Sequence, residues 1–229
     1  MLSIVKSMSL LGLDGCLISV QVDVSGGLPG WEIVGLPDAS VKEAKERVRT
    51  AIKNSGFELN SRKIVINLAT ADTKKEGSIY DLPIAVGILV CQEIIIEEIK
   101  EDTIFIGELS LDGKVNKVNG ILSMCIEAHN LGMKRVIVPY ENAKEASVVK
   151  EIEVYGVKNL IEVVSFLNGA KNIERSRVNI EELFNNFDAN LYDFLEVKGQ
   201  ENIKRALEIA AAGGHNCLLI RFSWISGKL

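Results

Sequence analysis

Leu17-Ile-Ser-Val-Gln-Val-Asp-Val-Ser-Gly-Gly-Leu-Pro-Gly-Trp-Glu-Ile-Val-Gly-Leu-Pro-Asp38 holds a strand, a turn, a second apolar run and a break in one stretch. Ile18, Val20, Val22 and Val24 alternate with Leu17, Ser19, Gln21 and Asp23, the period-two pattern of a strand with one buried face. Gly26-Gly27-Leu28-Pro29-Gly30 turns the chain and Trp31-Glu-Ile-Val34 returns it, which predicts a hairpin. Gly35-Leu36-Pro37-Asp38 ends the second strand.

A helix follows. Ser40 with Glu43 forms a capping box, and Asp38 offers an alternative cap. Val41, Ala44, Val48, Ala51 and Ile52 fall on one face at helical spacing, and Gly56 suits a left-handed C-terminal cap. Ile64 to Leu68 reads as a strand, followed by a polar loop to Ser78. Leu82 to Val90 is apolar on all sides, the mark of a buried helix. Pro83 fits only its first turn, which places the cap near Asp81.

Further on, Thr103–Ile106 and Glu108–Leu111 read as strands, with Asp112-Gly113 as a two-residue hairpin turn into Lys114-Val115. A helix from Ile121 to Leu131 stops at Gly132, and Arg135–Val138 is a strand ended by Pro139. A helix from Asn142, a short strand at Val154-Tyr155 and a helix from Asn159 to Leu167 complete the unit. Strands and helices joined by hairpins, without strict alternation, give an α+β class, a sandwich. The composition turns polar from Ala170 to Asn190. This predicts a domain over 1–169, a linker over 170–190 and a second unit over 191–229.

The whole chain bounds the function classes. At 229 residues with 47% hydrophobic and 25% charged residues it has enough apolar material for a sizeable core. A net charge of -5 excludes a protein-wide basic field but leaves room for a local one. Cys16, Cys91, Cys125 and Cys217 lie far apart with no CxxC pair and no His at ligand spacing, so buried thiols in a reducing compartment are expected and no metal site. No segment is long and apolar enough for a membrane helix, and the N-terminus lacks the pattern of a secretory leader. A cytoplasmic protein with no membrane partner is the expectation.

The C-terminal stretch is the most specific. Val197-Lys-Gly-Gln-Glu-Asn-Ile-Lys-Arg-Ala-Leu-Glu-Ile-Ala-Ala-Ala-Gly-Gly-His-Asn-Cys-Leu-Leu-Ile220 reads as an entry turn, a helix, a Gly-Gly turn and a buried strand, the approach to a nucleotide-binding loop. Such a loop needs G-x-x-x-x-G-K-[ST], whose amides wrap phosphates, whose lysine binds the outer phosphates and whose hydroxyl holds Mg²⁺. Aligned on Gly227-Lys228, Phe222 takes the first glycine's place and Leu229 the hydroxyl's. Tight ATP binding is not expected, and Gly227 and Lys228 are vestigial.

Together with SGGLPGWEIVGLPD, VKEAKERVRTAIKNSGF, YDLPIAVGIL and GELSLDGKVNKVNGIL, this stretch resembles the magnesium-chelatase-like proteins of the ComM/YifB type. The resemblance runs from near Met1 to Ile220. It implies an N-terminal domain of the Lon-protease or ribosomal-S5-domain-2 fold, followed by the opening helix and strand of an AAA+ module. It also implies a hexameric, ATP- and Mg²⁺-dependent DNA motor that promotes branch migration during natural transformation. In that family the residues after Ile220 read Gly-Pro-Pro-Gly-Ser-Gly-Lys-Thr, which puts the loop lysine at Gly227 and Lys228 out of register. The departure at Arg221 implies a truncated, frame-shifted or otherwise disrupted copy without its motor. Gly199-Gln200 resembles the AAA+ entry motif that approaches adenine and is vestigial here.

The Lon resemblance raises peptidase chemistry, in which a lysine amine activates a serine hydroxyl. The Lon motif aligns with Lys75-Glu-Gly-Ser-Ile-Tyr-Asp81 and places the serine at Ile79 and the lysine at Leu122, neither of which does this chemistry. Ser78 then reads as a loop or capping hydroxyl. Lys42, Lys45, Arg49 and Lys53, three or four apart, share one helix face and could follow a DNA backbone. The interleaved Glu43 and Glu46, with Glu43 pairing Arg47, favour a solvated, ion-paired face. The leading reading is a non-catalytic binding or regulatory module of a DNA motor. The alternative is a residual ATP-binding protein or a Lon-like serine peptidase.

Overall fold

The structure is a computed structural model that describes residues 1–60, 62–69, 75, 77–179 and 194–220. The chain divides into two compact units, Met1–Asn179 and Ile180–Leu229.

The first unit is built on a seven-stranded sheet. Its strands are β1 (Leu2–Leu11), β2 (Asp14–Ser25), β3 (Gly30–Val34), β4 (Lys63–Ala69), β5 (Thr103–Phe105), β8 (Arg135–Pro139) and β9 (Glu153–Val157), in the order β3-β4-β2-β1-β5-β8-β9. A small ladder, β6 (Glu108–Leu109) with β7 (Val115–Asn116), stands apart. The helices are α1 (Ala39–Asn54), α2 (Asp81–Cys91), α3 (Ile121–Asn130), α4 (Ala143–Ala146) and α5 (Leu160–Leu167).

The alternation in β2 does what period two requires: Ile18, Val20, Val22 and Val24 are buried, and Ser19, Gln21 and Asp23 stay half-exposed. Its hairpin partner, however, is β1 and not β3. Leu2–Leu11 folds back on Asp14–Asp23 in continuous antiparallel register, and β4 inserts between β2 and β3. β3 pairs with β4 in parallel, Trp31 opposite Ile64 and Ile33 opposite Ile66. The expected β2–β3 hairpin therefore does not form. The connection through α1 turns β3 and β4 into a parallel crossover unit. β1–β5, β5–β8 and β8–β9 are also parallel, so the fold is a mixed, mainly parallel sheet rather than an α+β sandwich of hairpins.

The hydrophobic core occupies both faces of this sheet. On one face Val20, Val22, Ile64 and Ile66 meet α1 residues Val41, Ala44 and Val48 and α2 residues Leu82, Ile84 and Ile88. Helix α2 lies close to the strands because Gly87 carries no side chain: a Cβ there would come within 2.7 Å of Val22 Cγ2. On the other face Met8, Ile104, Val136, Val138 and Val154 pack against Met124, Cys125 and Ala128 of α3 and Ala143 and Ala146 of α4.

Local chemistry sets the element ends. Asp38 is the α1 cap, its Oδ1 accepting from Val41 N at 2.7 Å and from Ser40 Oγ at 2.8 Å. The β6–β7 turn has three residues, not two: Ser110 N donates to Lys114 O, and Gly113 takes φ +82, the left-handed position of that loop type. Residues 170–179, read as the start of a linker, are bound to the first unit. Ser176 N donates to Val154 O, and Arg175 Nη2 donates to the carbonyls of Lys150 and Ile152.

In the second unit a 3₁₀ turn (Phe194–Glu196) precedes α6 (Glu201–Gly213). The strand expected at Cys217–Ile220 is absent; these residues are exposed with no regular structure, and Cys217 is an exposed thiol instead of a buried one. A strand exists through its ladder, and among the described residues of this unit none pairs with it. Among the described residues no helix is long and apolar enough to cross a membrane.

Candidate functional site

Two regions of α1 carry the polar chemistry of the first unit. The apolar residues at 41, 44, 48, 51 and 52 turn one side of the helix to the sheet. Helical spacing then sends Lys42, Lys45, Arg49 and Lys53 to the opposite side, where all four are exposed. The sequence favoured an ion-paired face, and the pair it named, Glu43 with Arg47, forms. Arg47 lies 3.9 Å from Glu43, but among the described residues none of the four outer cations joins an ion pair.

The row borders two recesses. One, of about 170 Å³, is lined by Trp31, Lys45, Glu46, Arg49, Leu59 and Arg62 among others. The other, of about 470 Å³, adjoins it at Arg49 and includes Lys53, Phe57 and Glu58. Lys42 is exposed and lines neither. Trp31 and Arg62 were not legible as partners of α1. Only the parallel β3–β4 register brings them beside it.

The second region is internal. Asp81 is fully buried at the first turn of α2, with Tyr80 and not Asp81 in the capping position. Arg47 reaches it from α1 with two hydrogen bonds, Nε to Oδ2 at 2.8 Å and Nη2 to Oδ1 at 3.0 Å. Leu109 N adds a third at 3.3 Å, tying the β6 ladder to both helices. Burial lifts the Asp81 carboxyl from 3.8 to about 6, against the opposing pull of the guanidinium and the amide, so the pair is ionised at neutral pH. The attraction raises Arg47 in turn. Clamped on both oxygens, Asp81 joins elements together and is not placed to serve as a base. Its signal in the sequence was a lone charge at the head of a wholly apolar helix.

Beside this pair, Ser78 Oγ donates to Glu108 Oε2, and Asn116 Nδ2 donates to Glu108 Oε1 at 3.4 Å. Ile79, at the position of the Lon serine, packs its side chain against both cores. Leu122, at the position of the Lon lysine, is half-buried in the first turn of α3, and Lys117 is exposed. Among the described residues no three His, Cys, Asp or Glu side chains gather as a metal-holding group.

In the second unit Gly199 (φ +70) and Gln200 (φ +58) are both left-handed at the entrance to α6, and the Gln200 side chain makes no capping bond. Gly227 and Lys228 lie outside the described residues. Two left-handed residues do not hold a triphosphate, and by residue type Phe222 and Leu229 do not fit the loop that would.

Comparison with known proteins places the chain. A family described as "Subunit ChlI of Mg-chelatase" matches residues 20–142, and one described as "Magnesium chelatase, subunit ChlI" matches residues 193–228. Competence protein ComM of Haemophilus influenzae is 38% identical over 220 residues, 96% of this chain and 43% of that protein. The uncharacterized protein YifB of Salmonella typhimurium is 43% identical over 219 residues, 96% of this chain and 42% of that protein. The chain thus spans about two fifths of the length of these relatives. Lon protease of Buchnera aphidicola subsp. Schizaphis graminum is 26% identical over 168 residues, 66% of this chain and 21% of that protease. The chain belongs to the magnesium-chelatase ChlI-like family of the ComM/YifB type.

Proposed function

We propose that Met1–Asn179 is a DNA-contacting, non-catalytic module of an ATP-driven DNA motor of the ComM/YifB type, with a Lon-type, ribosomal-S5-domain-2-like fold. The motor works as a hexamer on branched DNA during natural transformation, with ATP and Mg²⁺ bound by its AAA+ part. The observation that carries this reading is the exposed row Lys42, Lys45, Arg49 and Lys53, in no ion pair among the described residues, on an otherwise acidic protein. Such a row gains affinity by releasing counterions from phosphates. The competence name of the Haemophilus influenzae relative supports the DNA assignment. Ile79 and Leu122 support the absence of chemistry, since neither side chain supplies a hydroxyl or an amine.

The test is fluorescence anisotropy of a labelled duplex with the whole chain and no nucleotide. Duplex binding is expected, weakened at least about tenfold in the double variant Lys45→Glu, Arg49→Glu. Equal binding by the variant refutes the row as the contact. ATP with Mg²⁺ is expected to leave Tm unchanged. A bound nucleotide at a hundred times its Kd would add about 2.7 kcal/mol and support the enzyme reading instead.

A further inference from the structure

The row on α1 explains contact with phosphates, but it does not explain the aromatic residue beside it. Trp31 lies on β3, an edge strand of the sheet, and among the described residues no further strand pairs with it on that side. Its side chain packs partly against the core, and it lines the smaller recess with Lys45, Arg49 and Arg62. Its neighbour Glu32 alternates to the other face and lies 3.9 Å from Lys63, so that carboxylate is directed away. Glu46 is the acidic group lining this recess, against the three cations.

We propose that this recess is a subsite for single-stranded nucleic acid. Lys45, Arg49 and Arg62 take the phosphates and Trp31 stacks one unpaired base. This rests on the reading of α1 as a DNA contact and extends it to one strand. A recess of about 170 Å³ admits a single flat group and is smaller than a drug-sized pocket of about 300–1,000 Å³. A base inside a duplex cannot enter it without leaving its stack. Aromatic stacking beside a cationic track is how strands are gripped without sequence preference. The strand continues past Arg49 into the adjoining recess, where Lys53 and Phe57 offer the same combination beside Glu58.

The same chemistry, a base with its phosphates, is present in a free nucleotide, and the experiment separates the two sources. Anisotropy is measured with the whole chain on an oligothymidine strand, an abasic strand of equal length and a duplex, with ATP as competitor. Trp31→Leu is expected to weaken oligothymidine binding about tenfold, within the range for one stacked base, and to leave duplex binding unchanged. The abasic strand should bind the native protein as weakly as oligothymidine binds Trp31→Leu. Trp31→Phe, which keeps a ring, should restore most of the affinity and guards against a folding defect. In a Trp224→Phe background the remaining tryptophan should be quenched by oligothymidine and not by the abasic strand.

Equal binding of oligothymidine by native protein and Trp31→Leu, with duplex binding intact, overturns the stacking subsite alone. Loss of all DNA binding from the native chain overturns the reading beneath it as well. Displacement of the strand by ATP at its own site assigns the recess to a free nucleotide and overturns the strand proposal.

Discussion

Arg47 and Arg49 lie two residues apart on the same helix and have opposite surroundings. Arg47 faces inward and is held by both oxygens of a fully buried carboxylate, whereas Arg49 projects into water with no ion pair among the described residues. Two residues turn an α-helix by more than half a revolution, so adjacent charges serve different layers of the protein. Spacing tells which side a charge is on, but only the partner tells what it does. Arg47 closes the fold and Arg49 is left for a ligand.

The two arginines are told apart most strongly by stability. Arg47→Ala leaves Asp81 buried without its counterion and is expected to cost about 3–5 kcal/mol in denaturant unfolding. Replacing both, Arg47→Met with Asp81→Leu, should recover most of that loss, because the penalty belongs to the stranded charge. Arg49→Ala should stay within about 0.5 kcal/mol of the native protein. A comparable loss from Arg49→Ala would mean that the outer row also holds the fold.

A smaller effect concerns pH. The native Asp81 carboxyl titrates at about 6 and the unfolded one near 3.8, so the folded protein binds more protons in between. The contribution of this group to stability is therefore full below 3.8 and is lost as pH rises through 6, at up to about 1.4 kcal/mol per pH unit. The native protein should lose stability relative to Asp81→Asn as pH rises from 3.8 to about 6, and the two should run parallel above that window. Parallel curves throughout would mean that Asp81 titrates normally. A modest loss, about 1 kcal/mol, is expected from Asp38→Ala, since the amide of Val41 that Asp38 caps reverts to water.

Local elements were legible because local rules set them. The burial face of α1 follows from its spacing, the all-apolar run of α2 from its composition, and the ends at Gly56, Gly132 and Gly169 from left-handed backbone. Strand pairing was not. Gly26–Gly30 carries every sign of a hairpin turn, yet β3 leaves β2 and joins β4, a choice made by the apolar face of α1 covering the crossover. The site shared this division. The cation row could be read from residue numbers, while Trp31, Arg62 and the Arg47–Asp81 pair depend on contacts between residues distant in sequence. The pair expected on the face, Glu43 with Arg47, forms at 3.9 Å, but the main partner of Arg47 is Asp81 inside, which only the fold brings within reach.

The most direct test of the division between the two faces of α1 is the slope of DNA affinity against salt, measured side by side for three proteins. The native chain should lose affinity steeply as salt rises, and Arg49→Ala should reduce the slope by about 1, the mark of one phosphate contact removed. The paired variant Arg47→Met with Asp81→Leu should keep the native slope. An unchanged slope in Arg49→Ala, or an equal reduction in the paired variant, would contradict the assignment of the outer face to DNA and the inner face to the fold.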